Sequence, residues 1–288
     1  MVEQAIVRNI GDRLDDKIID DVPLSGGCIS DARKLTFASG KIAVLKSGAQ
    51  NADMFSKEAN GLAELAKADA LRIPRVLLAE KQFLLIEYIE QGHRPNDFFE
   101  DFGRKFADLH RFAADAFGFY ENNYIGATLQ ENLPSGEESQ NWTAFYLNKR
   151  LLFQLQLAEQ RGFSTPEMRR GFQNLESRLA EILSGGEEPP ALLHGDLWSG
   201  NFLVDSDGSP CLIDPAVYYG HREADLAMTK LFGGFGAAFY EAYQERYPLT
   251  PGYEYREDVY KLYHVMNHLN LFGGGYYSQA VAILKKYF

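Results

Sequence analysis

HGDLWSGN, residues 194–201, and CLIDP, residues 211–215, are the two stretches that decide the fold of this chain. They place an Asp, an Asn five residues later and a second Asp thirteen residues beyond that Asn. Phosphoryl transfer needs such a set, because the protein mainly positions the reacting groups and neutralises charge beside an acceptor hydroxyl. We therefore expect Asp196 to orient that hydroxyl, and Asn201 and Asp214 to ligate Mg²⁺ bound to ATP.

Each of these residues, taken alone, has a plainer explanation. An Asp beside glycines is often only a turn former or a helix cap. Turn chemistry, however, does not require His, Asp, Asn and a second Asp in this order, and Asp214 interrupts a strand-like segment where an unpaired charge is costly. The pattern also differs from that of protein kinases, which have Arg in the second place and D-F-G at the end. Together the residues favour one phosphotransferase site.

The composition is that of a soluble enzyme. A chain of 288 residues is long enough for one large domain or for two lobes that share a cleft. Its net charge of -11 argues against a nucleic-acid partner, because affinity for phosphate backbones comes mostly from Lys and Arg. The charged N-terminus is not a signal peptide, and no apolar run approaches the ~20 residues of a membrane span. We expect a cytoplasmic protein with no membrane partner.

The pattern along the chain predicts an α+β, bilobal, protein-kinase-like fold. Residues 1–90 form the expected N-lobe, a nucleotide-binding antiparallel sheet with one packed helix at 52–66 and strands at 21–24, 33–37, 42–45 and 83–88. Residues 91–288 form the expected C-lobe, which is mostly helical and carries the catalytic loop and the acceptor pocket. Its helices are predicted at 97–112, 143–160, 166–183, 223–231, 236–247 and 256–271, with a polar loop at 129–140.

A glycine pair between two predicted strands is a candidate phosphate loop. Gly26 and Gly27, followed by Cys28, expose backbone N–H groups because glycine has no Cβ. The full G-x-G-x-x-G spacing is missing, and in an arbitrary sequence a hairpin turn is the more common explanation of such a pair. In this loop the Cys28 thiol is expected to have a lowered pKa and to be reactive. We therefore expect either a monomer or a homodimer that is linked through Cys28. A small residue tolerated in a tight loop is the alternative, and Cys211, in an apolar strand, is expected to be inert.

The remaining nucleotide contacts are predicted from the order of features in the N-lobe. Lys46 ends a strand where kinases place a lysine on the α- and β-phosphates, and Glu58, twelve residues later on the helix, is expected to fix its rotamer. A lysine at a strand end is common, and only the order of these features favours the functional interpretation. The last strand ends at the lobe connector, where the Glu87 carbonyl and the Ile89 amide are expected to bond the adenine edge.

Seven blocks of sequence carry a resemblance that spans nearly the whole chain. The most specific are HGDLWSGN and DPAVYYG, because related kinases usually lack Trp198 and the paired tyrosines. The chain resembles the fructosamine kinase (ketosamine 3-kinase) family, within the superfamily of aminoglycoside phosphotransferases and choline kinases. The blocks lie at residues 26–30, 55–62, 123–126, 194–201, 214–220, 223–228 and 267–273.

The resemblance implies ATP- and magnesium-dependent phosphorylation of the sugar 3-hydroxyl of a ketosamine, in protein deglycation. Fructosamine, ribulosamine and erythrulosamine adducts of amines or protein lysines are the implied substrates. It also implies that Asp196 acts on this hydroxyl, that Trp198 offers a flat face to the sugar, and that His268 walls the pocket. Alternatively, Trp198 packs in the hydrophobic core, and His268 is a buried histidine whose hydrogen bonds are satisfied within the protein. His194 is expected to organise the catalytic loop, and Asp225 to be structural.

Two rival functions use the same core residues. An aminoglycoside or choline kinase would keep the Asp, Asn and Asp set but line its acceptor pocket with more carboxylates. A non-catalytic nucleotide-binding module would bind ATP without turnover.

Overall fold

A five-stranded antiparallel sheet forms the N-terminal part of the molecule. The computed structural model describes residues 3–24 and 31–287. Helix α1 (Gln4–Leu14) comes first, and the strands lie in the order β1-β2-β3-β5-β4. Helix α2 (Met54–Ala66) connects the third strand to the fourth. The strands are β1 (Ile18–Pro23), β2 (Asp31–Phe37), β3 (Ile42–Ser47), β4 (Val76–Ala79) and β5 (Phe83–Glu87).

Apolar residues cover both faces of this sheet, because side chains of a strand alternate between its faces. Ile6 and Ile10 of α1 pack on one face, against a cluster that includes Leu35 and Leu45. Phe55 and other apolar residues of α2 pack on the opposite face. The sequence pattern predicted only the second of these helices. The apolar residues Ile6, Ile10 and Leu14 of α1 do recur at helical spacing, so the signal was present in the sequence but was not used.

The C-terminal part is mostly helical, as expected. The bounds of α6 and α7 match the prediction at both ends, and the predicted helix 143–160 contains a π-helical segment at Leu147–Leu152. None of the helices in the described part of the chain is long and apolar enough to cross a lipid bilayer. The helices are α3 (Phe98–Leu109), α4 (Trp142–Tyr146), α5 (Phe153–Gln160), α6 (Pro166–Leu183), α7 (Glu223–Leu231), α8 (Ala237–Arg246), α9 (Tyr253–Phe272) and α10 (Tyr277–Lys285).

In the described helical part, short antiparallel strands form three pairs, and two of these pairs flank the segments that carry Asp196 and Asp214. β6 (Asn123–Ile125) pairs with β7 (Thr128–Gln130), and β8 (Ala191–Leu193) pairs with β11 (Tyr218–Gly220). β9 (Phe202–Val204) pairs with β10 (Pro210–Leu212). Residues 194–201 therefore connect β8 to β9, and residues 213–217 connect β10 to β11.

The segment 129–140, predicted to be a polar loop, is partly ordered and buried. It contains the end of β7 and a 3₁₀ turn at Gly136–Ser139. Three of its polar side chains, Gln130, Asn132 and Glu138, are buried and paired: Gln130 donates to the Ala216 carbonyl at 2.9 Å, and Glu138 accepts the Ser135 backbone N–H at 2.8 Å. Polarity here reflects internal hydrogen bonding rather than solvation, because buried polar groups need partners.

The two parts meet where β5 ends. Gly92 donates its N–H to the Val204 carbonyl at 3.1 Å. Arg72 bridges the parts through its guanidinium, which lies 2.8 Å from Asp205 and 3.2 Å from Glu87. The boundary at residue 90 stays a prediction.

Candidate active site

His194 and Gly195 shape the loop that carries Asp196. The Nε2 atom of His194 lies 2.9 Å from the Ile213 carbonyl, and its Nδ1 accepts the Asp196 N–H at 3.3 Å. Burial lowers the pKa of His194, so the ring is neutral and both contacts fit one tautomer. Gly195 has φ +83°, and a Cβ there would lie 2.0 Å from the Ala216 carbonyl oxygen. Glycine is required at this position, and His194 has the organising role expected for it.

Asp225, near the start of α7, fixes the same loop through hydrogen bonds to its backbone. Its two carboxylate oxygens accept the backbone N–H groups of His194 and Gly195 at 2.7 and 2.8 Å. His110 lies 3.3 Å from the same carboxylate. Burial acts to raise the pKa of Asp225, but His110 and the Gly195 N–H outweigh it, and the pKa is lowered. The structural role expected for Asp225 is therefore direct support of the catalytic loop.

Asp196 and Asn201 face each other across this loop. The Asn201 amide nitrogen lies 2.8 Å from the Asp196 backbone oxygen and 3.4 Å from its carboxylate. Since the nitrogen is used in this way, the amide oxygen is the atom left to ligate a cation. Burial raises the pKa of Asp196 well above its usual value, and the charges of Asp214 and Asp225 add to this effect.

Asp214 follows β10 by two residues and has a left-handed backbone, with φ 55°. The sequence placed this residue within a strand, and the structure corrects that expectation. Asp is one of the few residues that tolerate the left-handed region. The turn directs the carboxylate to the ammonium group of Lys46, which also contacts Glu58. The pairing of Lys46 with Glu58 agrees with their spacing in the sequence.

Two carboxylates thus share one ammonium group at the base of the cleft. Burial acts to lower the pKa of Lys46, but Asp214 and Glu58 outweigh it and raise the pKa. Burial raises the pKa of Glu58, and repulsion from Asp214 adds to it while Lys46 opposes it. This group of three side chains has a net negative charge and favours the arrival of a further cation.

A cavity of about 400 Å³ opens beside these residues, which is large enough for a sugar derivative. Asp196, Asn201 and Asp214 lie on its polar side with Lys46 and Glu58. Its lining also includes a cluster of aromatic side chains, here called the aromatic wall: Trp198, Phe232, His268, Phe272 and Tyr276.

The aromatic wall is built from rings in mutual contact. The Phe232 ring centroid lies 5.9 Å from that of Trp198 and 4.9 Å from that of His268. His268 also donates its Nδ1–H to the His264 carbonyl, one turn earlier in α9, at 2.8 Å. A Cβ on Gly200 would lie 2.5 Å from the indole of Trp198, so glycine makes room for this ring. Trp198 and His268, which are far apart in sequence, therefore line one cavity.

Several residues of the cavity lining were not predicted. Five of them lie in the blocks 55–62, 123–126 and 267–273, but the blocks did not show that these residues line one cavity. Phe232 and Tyr276 follow α7 and α9 and lie outside any block. The residues that were not predicted include Lys57, Asn123, Tyr124, Phe232, Asn267, Phe272 and Tyr276.

The other predicted nucleotide contacts are not among the described residues that line the cavity. Gly26, Gly27 and Cys28 fall outside the described residues. Glu87 and Ile89 do not line the cavity. The Glu87 carboxylate lies 3.2 Å from both Arg72 and Arg75, and the Ile89 side chain is buried. Their backbone contacts to adenine stay a prediction.

Cys211 has the surroundings expected of an unreactive thiol. It is buried in β10, and burial raises its pKa to about 12.

The sheet with a buried Lys–Glu pair, together with a helical lobe that presents Asp, Asn and Asp, defines a kinase-like phosphotransferase fold. The chain belongs to the fructosamine kinase family, whose model matches residues 2–288. It is 40% identical over 268 residues to a "probable ketoamine kinase" of Synechocystis, covering 91% of this chain and 88% of the relative. It is 39% identical over 278 residues to a chloroplastic protein-ribulosamine 3-kinase of Oryza sativa subsp. indica, covering 94% and 79% of the two chains.

Solved structures agree with this assignment. A "putative fructosamine-3-kinase" from Thermobifida fusca superimposes with a TM-score of 0.89 at 29% identity, and the match covers 99% of each chain. The gentamicin complex of an aminoglycoside phosphotransferase, APH(2″)-IIa, gives a TM-score of 0.64 at 15% identity, covering 100% of this chain and 95% of the other. The second similarity shows the shared fold alone.

Proposed function

We propose that this chain transfers the γ-phosphoryl group of ATP to the sugar 3-hydroxyl of a ketosamine. The observation that supports this most is the shared cavity, which is lined both by the Asp, Asn and Asp set and by the aromatic wall. Among the described residues that line it, the carboxylates are Glu58, Asp196 and Asp214, and each has a role in the phosphate half of the site. An acceptor with several ammonium groups, such as an aminoglycoside, would require further carboxylates. Aromatic faces suit a sugar ring or chain better.

Asp196 is the residue that acts on the acceptor in this proposal. It orients the 3-hydroxyl toward the γ-phosphorus and accepts its proton as the new P–O bond forms and the bond to the β–γ bridging oxygen breaks. A carboxylate with a raised pKa is a better proton acceptor than an exposed one. Trp198 and His268 hold the sugar at the aromatic wall.

Magnesium fits the oxygen atoms of Asn201 and Asp214. Mg²⁺ is commonly bound by one or two protein ligands, with phosphates and water completing the coordination. In the described part of the chain, no group of three or more His, Cys, Asp or Glu side chains is placed to hold a metal unaided. When bound with ATP, the ion neutralises phosphate charge. Lys46, oriented by Glu58, contacts the α- and β-phosphates.

The product accounts for the biological role that we propose. A ketosamine 3-phosphate is unstable and releases the amine, so phosphorylation reverses glycation. Residues 1–90 bind the nucleotide and residues 91–288 bind the acceptor. We propose a cytoplasmic enzyme that is a monomer or a Cys28-linked dimer and acts on free or protein-bound ketosamines.

A substrate panel tests the proposal. The chain is incubated with ATP, Mg²⁺ and lysine modified by ribulose, erythrulose or fructose, and ADP release is measured beside parallel reactions with gentamicin and choline. We expect ADP release only with the modified lysines. Preference for gentamicin or choline would support the first rival function, and ATP binding without turnover would support a nucleotide-binding module.

A further inference from the structure

One face of α2 contacts the C-terminal part of the molecule at successive turns. The Lys57 ammonium lies 2.6 Å from the Glu121 carboxylate, and the Asn60 amide donates to the same carboxylate at 2.8 Å. One turn later, the Tyr219 hydroxyl donates to Glu64 at 2.8 Å. Residues three and four positions apart share a helix face, so these contacts form one row. We call these five residues the α2 clamp.

Close packing reinforces the row. A Cβ on Gly61 would lie 3.3 Å from the Val217 side chain and 3.5 Å from that of Pro215. At the start of the helix, the Tyr124 hydroxyl donates to Asp53 at 2.7 Å. The helix that carries Glu58 is therefore held against the segment that directly follows Asp214.

The Lys46 ion pairs are not the only contacts that hold Glu58 and its helix in place. Glu58 and Asp214 share one ammonium group, and repulsion from Asp214 partly offsets the larger attraction between Lys46 and Glu58. The clamp uses a separate lysine and a separate carboxylate, whose side chains are 23% and 16% exposed. Partly buried charged hydrogen bonds of this kind are stronger than exposed ones.

We propose that Glu121 is a positioning residue, which keeps Glu58 on Lys46 by clamping α2 to the C-terminal part. Glu121 does not line the cavity and touches no group that we assign to the reaction. Its effect passes through α2 to Glu58, and from there to Lys46. The inference rests on the proposed role of Lys46 at the ATP phosphates.

The first test measures the dissociation constant of Mg-ATP, which does not depend on the acceptor. Glu121→Gln keeps the shape of the side chain but removes its charge, and we expect the constant to rise on the order of tenfold. Glu167→Gln is the matched control, because the same substitution there removes an ion pair of similar length, 2.8 Å, between Glu167 and Lys285. That pair lies outside the α2 clamp. The control is expected to bind Mg-ATP as the wild type does.

A double-mutant cycle distinguishes positioning from a general effect on stability. In a Glu58→Gln background, Glu121→Gln is expected to change the dissociation constant less than about twofold, because its effect requires Glu58. An undiminished tenfold effect in that background would overturn the proposal, as would wild-type affinity in the single variant.

Two further variants keep the outcome decisive. Tyr219→Phe removes the hydroxyl bond to Glu64 while keeping the ring, and it replaces Glu121→Gln if that variant does not fold. Its effect on Mg-ATP binding is expected to depend on Glu58 in the same way. Lys46→Met tests the underlying assignment. Unchanged affinity in Lys46→Met refutes the phosphate role of the lysine, whereas a loss there without a loss in the clamp variants refutes only the clamp.

Discussion

Replacing Asp196 with Asn separates catalysis from nucleotide binding. The change removes the proton acceptor and leaves the backbone oxygen that receives the Asn201 amide at 2.8 Å. General-base assistance contributes about 10²- to 10⁴-fold to a rate. We therefore expect turnover to fall by about that factor, while the dissociation constant of Mg-ATP stays within about twofold of wild type.

The same change is expected to stabilise the fold at neutral pH. Because the pKa of Asp196 is raised in the folded state, its favourable contribution is complete below the unfolded-state pKa and is lost as pH rises through the folded-state pKa. Above the folded-state pKa the ionised carboxylate therefore costs stability, which the uncharged Asn side chain does not. The thermal midpoint of Asp196→Asn is expected above that of wild type at pH 8, and the difference is expected to shrink toward pH 4.

Three assays on one preparation test this account: ADP release, equilibrium binding of Mg-ATP, and thermal unfolding across pH. Turnover within tenfold of wild type would remove Asp196 from the role of proton acceptor. A lower thermal midpoint at pH 8 would show that the carboxylate stabilises the loop, contrary to the electrostatic argument.

Three other substitutions test separate parts of the site. Asp214→Asn is expected to weaken nucleotide binding roughly tenfold at limiting magnesium, by loss of a charged ligand; the same affinity throughout a magnesium titration would make Asp214 structural. Trp198→Leu is expected to raise the acceptor KM about tenfold and leave that of ATP unchanged, through loss of aromatic contact; an unchanged acceptor KM would contradict this. Cys28→Ala is expected to keep its activity after mild oxidation that inactivates the wild type and links it on non-reducing electrophoresis. Equal loss in both proteins, or no loss in either, would end the redox hypothesis, and Cys211→Ala serves as the control.

Local signals explain why parts of the fold were predictable from sequence. Helix α6 was correct at both ends because Thr165 caps it, accepting the Met168 N–H at 3.2 Å, and Pro166 occupies its first turn. The pairing of Lys46 with Glu58 followed from their order along the chain. In each case the information lies within a few residues or in a fixed spacing.

Features that depend on distant contacts were not predictable. The hairpin of β6 and β7 has three residues in each strand, too few for an alternating pattern to stand out. The left-handed turn at Asp214 and the aromatic wall around Phe232 and Phe272 arise only when separate elements pack together. Asp225 looked like an ordinary acidic residue in a first helical turn, and its bonds to the catalytic loop span 30 and 31 residues.

The position of the transferred phosphate tests the central claim most directly. The chain is incubated with ATP, Mg²⁺ and ribulose-modified lysine, and the product is examined by phosphorus–proton correlation NMR while free lysine is measured over time. The account predicts a phosphate coupled to the proton on carbon 3, followed by release of unmodified lysine. Phosphate on another hydroxyl, or ADP formed without a phosphorylated sugar, would contradict it.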